Sequence, residues 1–239
     1  MADIVKAIEI EKEYIEYRMK GEEPFHLIDA VKECGFETLE EFFKAKKQHA
    51  ITRLDFEFIE TTPFKAIDEV MKAIALKKPA VIMVNIDHTV VWPTKSEEYD
   101  KDYCIAEGLP LLPTGTETGG ALVSTPGDLG IGICLPRSIE ADVETIADML
   151  VSIFRKHTDK DVRNDGNDVM VGGFKVCGIT YYETADVFMA ITPISITEKR
   201  GLVSKVCLKA REKEVGYIDF MGRDKIREEV SEWLRGRSI

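Results

Sequence analysis

Asn167, Asp168 and Lys175 are side chains whose types and spacing suit work on a substrate carboxylate, carbonyl or phosphate. They lie in residues 163–184, Arg-Asn-Asp-Gly-Asn-Asp-Val-Met-Val-Gly-Gly-Phe-Lys-Val-Cys-Gly-Ile-Thr-Tyr-Tyr-Glu-Thr. A fixed ammonium stabilises negative charge that builds up on a reacting oxygen, and a nearby carboxylate orients a polar ligand or binds a hard cation. Val169, Met170 and Val171 predict a short buried strand. Gly172-Gly173 predicts a tight turn, because glycine enters positive φ without steric cost. A second strand begins at Phe174, with Lys175 pointing opposite to Phe174 and Val176 and, by alternation, to the same face as Cys177. Gly178 interrupts that strand where a ligand or another backbone could approach closely. The same pattern also suits a lysine that guards an exposed strand edge.

Residues 114–129, Thr-Gly-Thr-Glu-Thr-Gly-Gly-Ala-Leu-Val-Ser-Thr-Pro-Gly-Asp-Leu, form a second glycine-rich stretch. Gly119, Gly120 and Ala121 would let a ligand lie against bare backbone, and the segment also reads as an ordinary loop. Cys177 stands two residues from Lys175, so an adjacent ammonium would favour its thiolate; the alternative is a small core residue. His26, His49, His88 and His157 are dispersed, without zinc-ligand or triad spacing.

The elements that must hold these residues can be read from periodicity. Residues 1–50 predict a helical extension, with a break at 21–24, a second helix over 25–33, and a third opened by a Thr38/Glu41 capping box. Leu54, Phe56 and Phe58 alternate as a half-buried strand. Thr62-Pro63 starts a helix with Phe64, Ile67, Val70, Met71 and Ile74 on one face. A buried strand follows Pro79. Ser96 predicts a helix over 97–107, and Ser138 one with Ile139, Val143, Ile146, Leu150 and Phe154 inward. Residues 185–196 read as a strand pair or a bent strand interrupted at Pro193. A closing helix over 224–234 turns Ile226, Val230, Trp233 and Leu234 inward.

A chain of 239 residues with 44% hydrophobic and 31% charged residues is an ordinary globular composition with room for a sizeable core. A net charge of −11 argues against general electrostatic binding of nucleic acid. No apolar run approaches a membrane span. Five cysteines without metal-ligand spacing, and no secretory signal core, predict reduced thiols in the cytoplasm.

Asn167-Asp168-Val-Met-Val, Gly173-Phe-Lys175-Val-Cys-Gly178 and Tyr181-Tyr-Glu-Thr184 resemble the lipoate–protein ligase family. Its members carry Asn-Asp, a short strand, Gly-x-Lys-x-x-Gly and a Tyr-Arg-Glu-Thr-like continuation. Thr118-Gly119-Gly120-Ala121 and Gly127-Asp128 fall in register with that family's glycine loop and Gly-Asn turn. Here Thr114, Gly115, Thr116 and Glu117 stand where the family has basic residues, and Ser124 where it has histidine.

The resemblance covers residues 51–208 and implies an α+β fold: a central mixed or antiparallel sheet flanked by helices, a biotin/lipoate protein ligase-like catalytic domain spanning 51–239. It implies attachment of lipoate, octanoate or a similar short acyl group to a lysine of a lipoyl carrier domain or H-protein-like acceptor, through an acyl-adenylate made with ATP and Mg2+. Lys175 takes the catalytic role. Gly119, Gly120, Ala121, Asn167, Asp168, Gly173 and Gly178 take acyl and nucleotide binding, with Asp168 on the magnesium. Two alternatives stay open: ATP-independent octanoyl or lipoyl transfer between carriers, and a non-catalytic adenylate- or carrier-binding homologue.

Overall fold

The computed structural model describes residues 2–22, 25–93, 99–113, 122–208 and 214–236. They fall into two compact units, Met1–Arg53 and Leu54–Ile239. The first holds α1 (Ile4–Met19), α2 (Leu27–Glu33) and α3 (Leu39–Thr52) around Ala7, Val31, Cys34, Phe36 and Phe42. The capping box forms: Thr38 Oγ1 accepts the Glu41 amide at 3.1 Å, and the Glu41 carboxylate takes the Thr38 amide at 3.3 Å.

The second unit runs β1 (Glu57–Thr61), α4 (Pro63–Leu76), β2 (Ala80–Asn85), β3 (Val90–Trp92), α5 (Lys101–Ala106), β4 (Leu122–Ser124), β5 (Leu129–Pro136), α6 (Val143–Arg155), β6 (Val162–Asp165), β7 (Asp168–Val171), β8 (Phe174–Gly178), β9 (Thr180–Glu183), β10 (Val187–Ile194), α7 (Arg200–Val206) and α8 (Arg223–Leu234). Among the described residues an eight-stranded sheet has the order β1-β2-β5-β10-β8-β7-β6, with β9 also on β10. Among the strand pairs of this sheet, β1 and β2 are parallel and the rest antiparallel, with a further parallel bridge from Lys175 to Val215. The fold is α+β, a mostly antiparallel sheet flanked by helices.

Register assigns the faces. Ile82, Gly132 and Ile191 are paired across β2, β5 and β10, and Ile82 and Ile191 belong to the core that α4 covers through Ala66 and Ala73. Ile194, three residues beyond Ile191, therefore points to the opposite face, as does its partner Cys177. Helix α6 packs on β6 and β7, and α8 packs on α6. Burying a side chain such as Ile146, Leu150 or Phe154 of α6 contributes roughly 1.5–3 kcal/mol.

Several sequence expectations are corrected. The strand expected from the Leu54 alternation is confined to Glu57–Thr61, because α3 runs on to Thr52. Helix α4 buries Pro63, Ala66 and Ala73, so small residues face the sheet while Phe64, Ile67 and Met71 are exposed. Helix α5 is capped by Asp100, whose carboxylate accepts the Tyr103 amide; the expected cap, Ser96, lies outside the described residues. Helix α6 starts after Asp142, which accepts the Thr145 amide at 2.8 Å, so Ser138 and Ile139 precede the helix. Strand β10 passes through Pro193 unbroken. β9 ends opposite Ile191 and β8 meets β10 only at Ile194, so Pro193 needs no donor on that side.

Candidate active site

The site rests on the β7–β8 hairpin. Gly172 and Gly173 have φ of 58° and 87°, the left-handed pair that a two-residue turn requires, and Val171 faces Phe174 across it. The ladder then slips by one residue. Met170 pairs with Lys175 and Val169 with Cys177, leaving Val176 as the extra residue of a β-bulge. Met170 and Val169 are consecutive and face opposite sides of the sheet, so Lys175 and Cys177 do too.

The bulge thus turns Lys175 to the face shared by Asp168 and Gly178, which are themselves a register pair. Lys175 Nζ lies 2.7 Å from Asp168 Oδ1, with the lysine side chain 30% exposed and the aspartate 15%. Gly178 is the floor of this pair. A Cβ there would stand 2.9 Å from both Cε and Nζ of Lys175 and 3.1 Å from Asp168 Oδ1. Residues 214–216 secure the backbone: the Lys175 amide donates to the Glu214 carbonyl and the Gly216 amide to the Lys175 carbonyl, each at 2.9 Å. Gly216 permits that approach, since a Cβ there would lie 2.5 Å from Phe174 Cβ. The Arg200 guanidinium, 4.6 Å from the centre of the Phe174 ring, donates to the Val215 carbonyl.

A second lysine–aspartate pair, Lys199 with Asp128, is almost fully enclosed, at 3% and 2% side-chain exposure. Asp128 Oδ1 accepts the Ile196 amide at 2.8 Å and the Thr197 amide and hydroxyl at 3.1 Å. Oδ2 accepts the Thr125 amide at 2.8 Å and its hydroxyl at 3.3 Å, and meets the Lys199 ammonium. Removing one partner of such a pair leaves a buried charge without compensation, which typically costs about 3–5 kcal/mol.

The family model described as lipoyl protein ligase A/B catalytic domain matches residues 63–215. The chain belongs to that family. Among solved structures, a putative lipoate protein ligase of T. acidophilum with bound lipoic acid is 19% identical, covers 77% of this chain and 86% of its own, and superposes with a TM-score of 0.64. A lipoate-protein ligase A bound with ATP gives 18% identity, 76% and 84% coverage, and a TM-score of 0.63. A structural study of a bi-partite lipoate protein ligase and its E2 lipoyl domain from Thermoplasma acidophilum gives 19%, 75%, 82% and 0.61. At these identities the likeness shows the fold. No curated protein sequence matches.

Against the lipoyl ligase expectations, the structure brings Asp168, Lys175 and Gly178 together. Gly173 serves the hairpin turn, and Asn167 is exposed beside Asp168, its carbonyl accepting the Ile179 amide at 2.7 Å. Gly119, Gly120 and Ala121 lie outside the described residues. Cys177 is corrected. It does not share a face with Lys175, and burial pushes its thiol up to about 12, against smaller opposing effects of Thr192 and Lys175. It is a core residue, not a nucleophile. Ser124, at the expected histidine position, is buried and accepts the Trp92 indole N–H at 3.1 Å. No group of three potential metal-ligating side chains occurs among the described residues. Asp168 therefore offers magnesium one carboxylate, already facing Lys175; such an ion would need nucleotide phosphates and water for its remaining ligands. The contribution of Lys199 was missed because its partner lies 71 residues away.

Proposed function

We propose that this protein joins lipoate or a similar short acyl acid to a lysine of a lipoyl carrier domain by way of an acyl-adenylate. A carboxylate resists attack by an amine because its leaving group is poor. Attack of the acid on the α-phosphate of ATP expels pyrophosphate and forms a mixed anhydride. The carrier amine then attacks the acyl carbon, its proton is released, and AMP leaves. Both steps gather negative charge at the acyl–phosphate junction, where an ammonium is most useful.

The observation that carries this reading is Lys175. A bulge aims it, a glycine makes room for it, Asp168 holds it, and it remains partly open to solvent. The lipoic acid, the ATP and the E2 lipoyl domain that accompany the related ligases support the same choice of substrates and partner. Asn167, Gly173 and residues 119–121 are proposed to line the nucleotide and acyl sites, and a reducing cytoplasm suits the free cysteines. The test is the mass of a lipoyl carrier domain after incubation with ATP, lipoate and this protein: a gain of one lipoyl group supports the reading, and unchanged mass counts against it.

One observation favours a second reading. Residues 114–117, Thr-Gly-Thr-Glu, replace a basic clamp with neutral and acidic groups, which weakens the hold on a triphosphate. Transfer from an octanoyl carrier without ATP needs no such clamp. Acyl gain by the acceptor in an ATP-free mixture would select it.

A further inference from the structure

We infer that Asp128, held by Lys199, is a positioning residue for Lys175. The inference rests on the reading of Lys175 as the group that serves acyl transfer, and it starts from a chain of hydrogen bonds linking the two. Asp128 Oδ1 takes the amides of Ile196 and Thr197, the first two residues after Ser195. The Ser195 amide donates to the carbonyl of Val176, the extra residue of the bulge, at 2.9 Å. The Ser195 carbonyl accepts the Ile218 amide at 2.9 Å, joining the segment that holds the Lys175 backbone. One carboxylate thus anchors the chain where β10 ends and, through Ser195, one flank of the bulge that aims Lys175.

The chemistry requires a carboxylate here. Both arms of Asp128 meet obligate donors: the Thr125 amide and the Lys199 ammonium on Oδ2, the Ile196 and Thr197 amides on Oδ1, with the Thr125 and Thr197 hydroxyls, 2.5 Å apart, sharing their protons between each other and the carboxylate. An asparagine could serve one arm through its oxygen, but its NH2 would face donors on the other. Lys199 compensates the buried negative charge and itself stays out of solvent. Displacements of about 1 Å at a reacting centre cost on the order of 10²-fold in rate.

The experiment uses the full chain carrying lysine labelled with ¹³C at Cε, with the Lys175 signal assigned by its loss in Lys175→Arg. Asp128→Asn is expected to shift that signal, leave the exposed Lys72 signal in place, and lower kcat for carrier acylation by about 10²-fold. The KM for lipoate should change little. If Asp128→Asn does not fold, the double variant with Lys199→Met removes the stranded charge and carries the same measurement. A folded variant whose Lys175 signal coincides with wild type overturns the inference. The spectral comparison decides this even if wild-type protein acylates no carrier, a result that would instead remove the proposed function.

Discussion

Two of the lysine–aspartate pairs among the described residues sit in opposite settings. Asp168–Lys175 sits on a glycine floor, with its lysine 30% exposed; Asp128–Lys199 is closed in, with its lysine 3% exposed. The open pair can exchange its internal contact for a substrate anion. The closed pair has its carboxylate held by three amides and the Lys199 ammonium and is shut off from solvent, so it offers a ligand no access. Lysine and aspartate in contact are therefore not a site in themselves. Access and backbone aim separate the pair proposed to act in transfer from the enclosed one.

Substituting each lysine by methionine should set the two pairs apart by the largest effects. Lys175→Met should lower acyl transfer by about 10²–10³-fold with little change in melting temperature. Lys199→Met should lower stability by about 3 kcal/mol, measured by urea unfolding, because Asp128 loses its counter-charge. Equal stability losses in the two variants would erase the distinction. Gly178→Ala comes next. Its added methyl occupies the space of the Lys175 amine, so transfer should fall by about 10²-fold while the fold persists. Wild-type activity in that variant would show that the floor is not needed.

The sheet's opposite face gives a smaller effect. Cys177 should resist iodoacetamide at pH 8 in native protein, because burial keeps its thiol protonated, whereas partly exposed Cys207 should label; mass mapping of modified peptides checks this. The smallest effect lies far from either lysine pair. Burial pushes the Glu229 carboxyl up, but hydrogen bonds from Lys225 and His157 outweigh it and hold the group below its ordinary 4.5. A lowered acid pKa stabilises the fold above the ordinary value and loses that contribution as pH falls through the folded one. The stability advantage of wild type over Glu229→Gln should thus be present at pH 6 and fade below about pH 4.5 in thermal melts. An advantage that persists unchanged at pH 3 would contradict it.

Local signals were legible in the sequence, while the long-range ones were not. The Gly172-Gly173 turn, the Thr38/Glu41 cap and the inward face of α8 follow from rules that act within a few residues. The Asn-Asp, Lys and Gly spacing carried the family. The bulge at Val176 was invisible because it depends on how β7 pairs, so alternation placed Cys177 beside Lys175 when it belongs on the other face. The exposed Phe64, Ile67 and Met71 show the same limit: α4 has two apolar stripes, and only packing reveals that the sheet takes the one with Ala66 and Ala73. The Asp128–Lys199 pair joins residues whose proximity nothing in the local sequence announces.

Intact-protein mass spectrometry of a lipoyl carrier domain decides whether Lys175 performs the transfer. With ATP and lipoate, wild-type protein should add one lipoyl group to the carrier, and folded Lys175→Ala should add none over the same period. Equal loading by the two proteins would show that Lys175 is not the group that serves transfer.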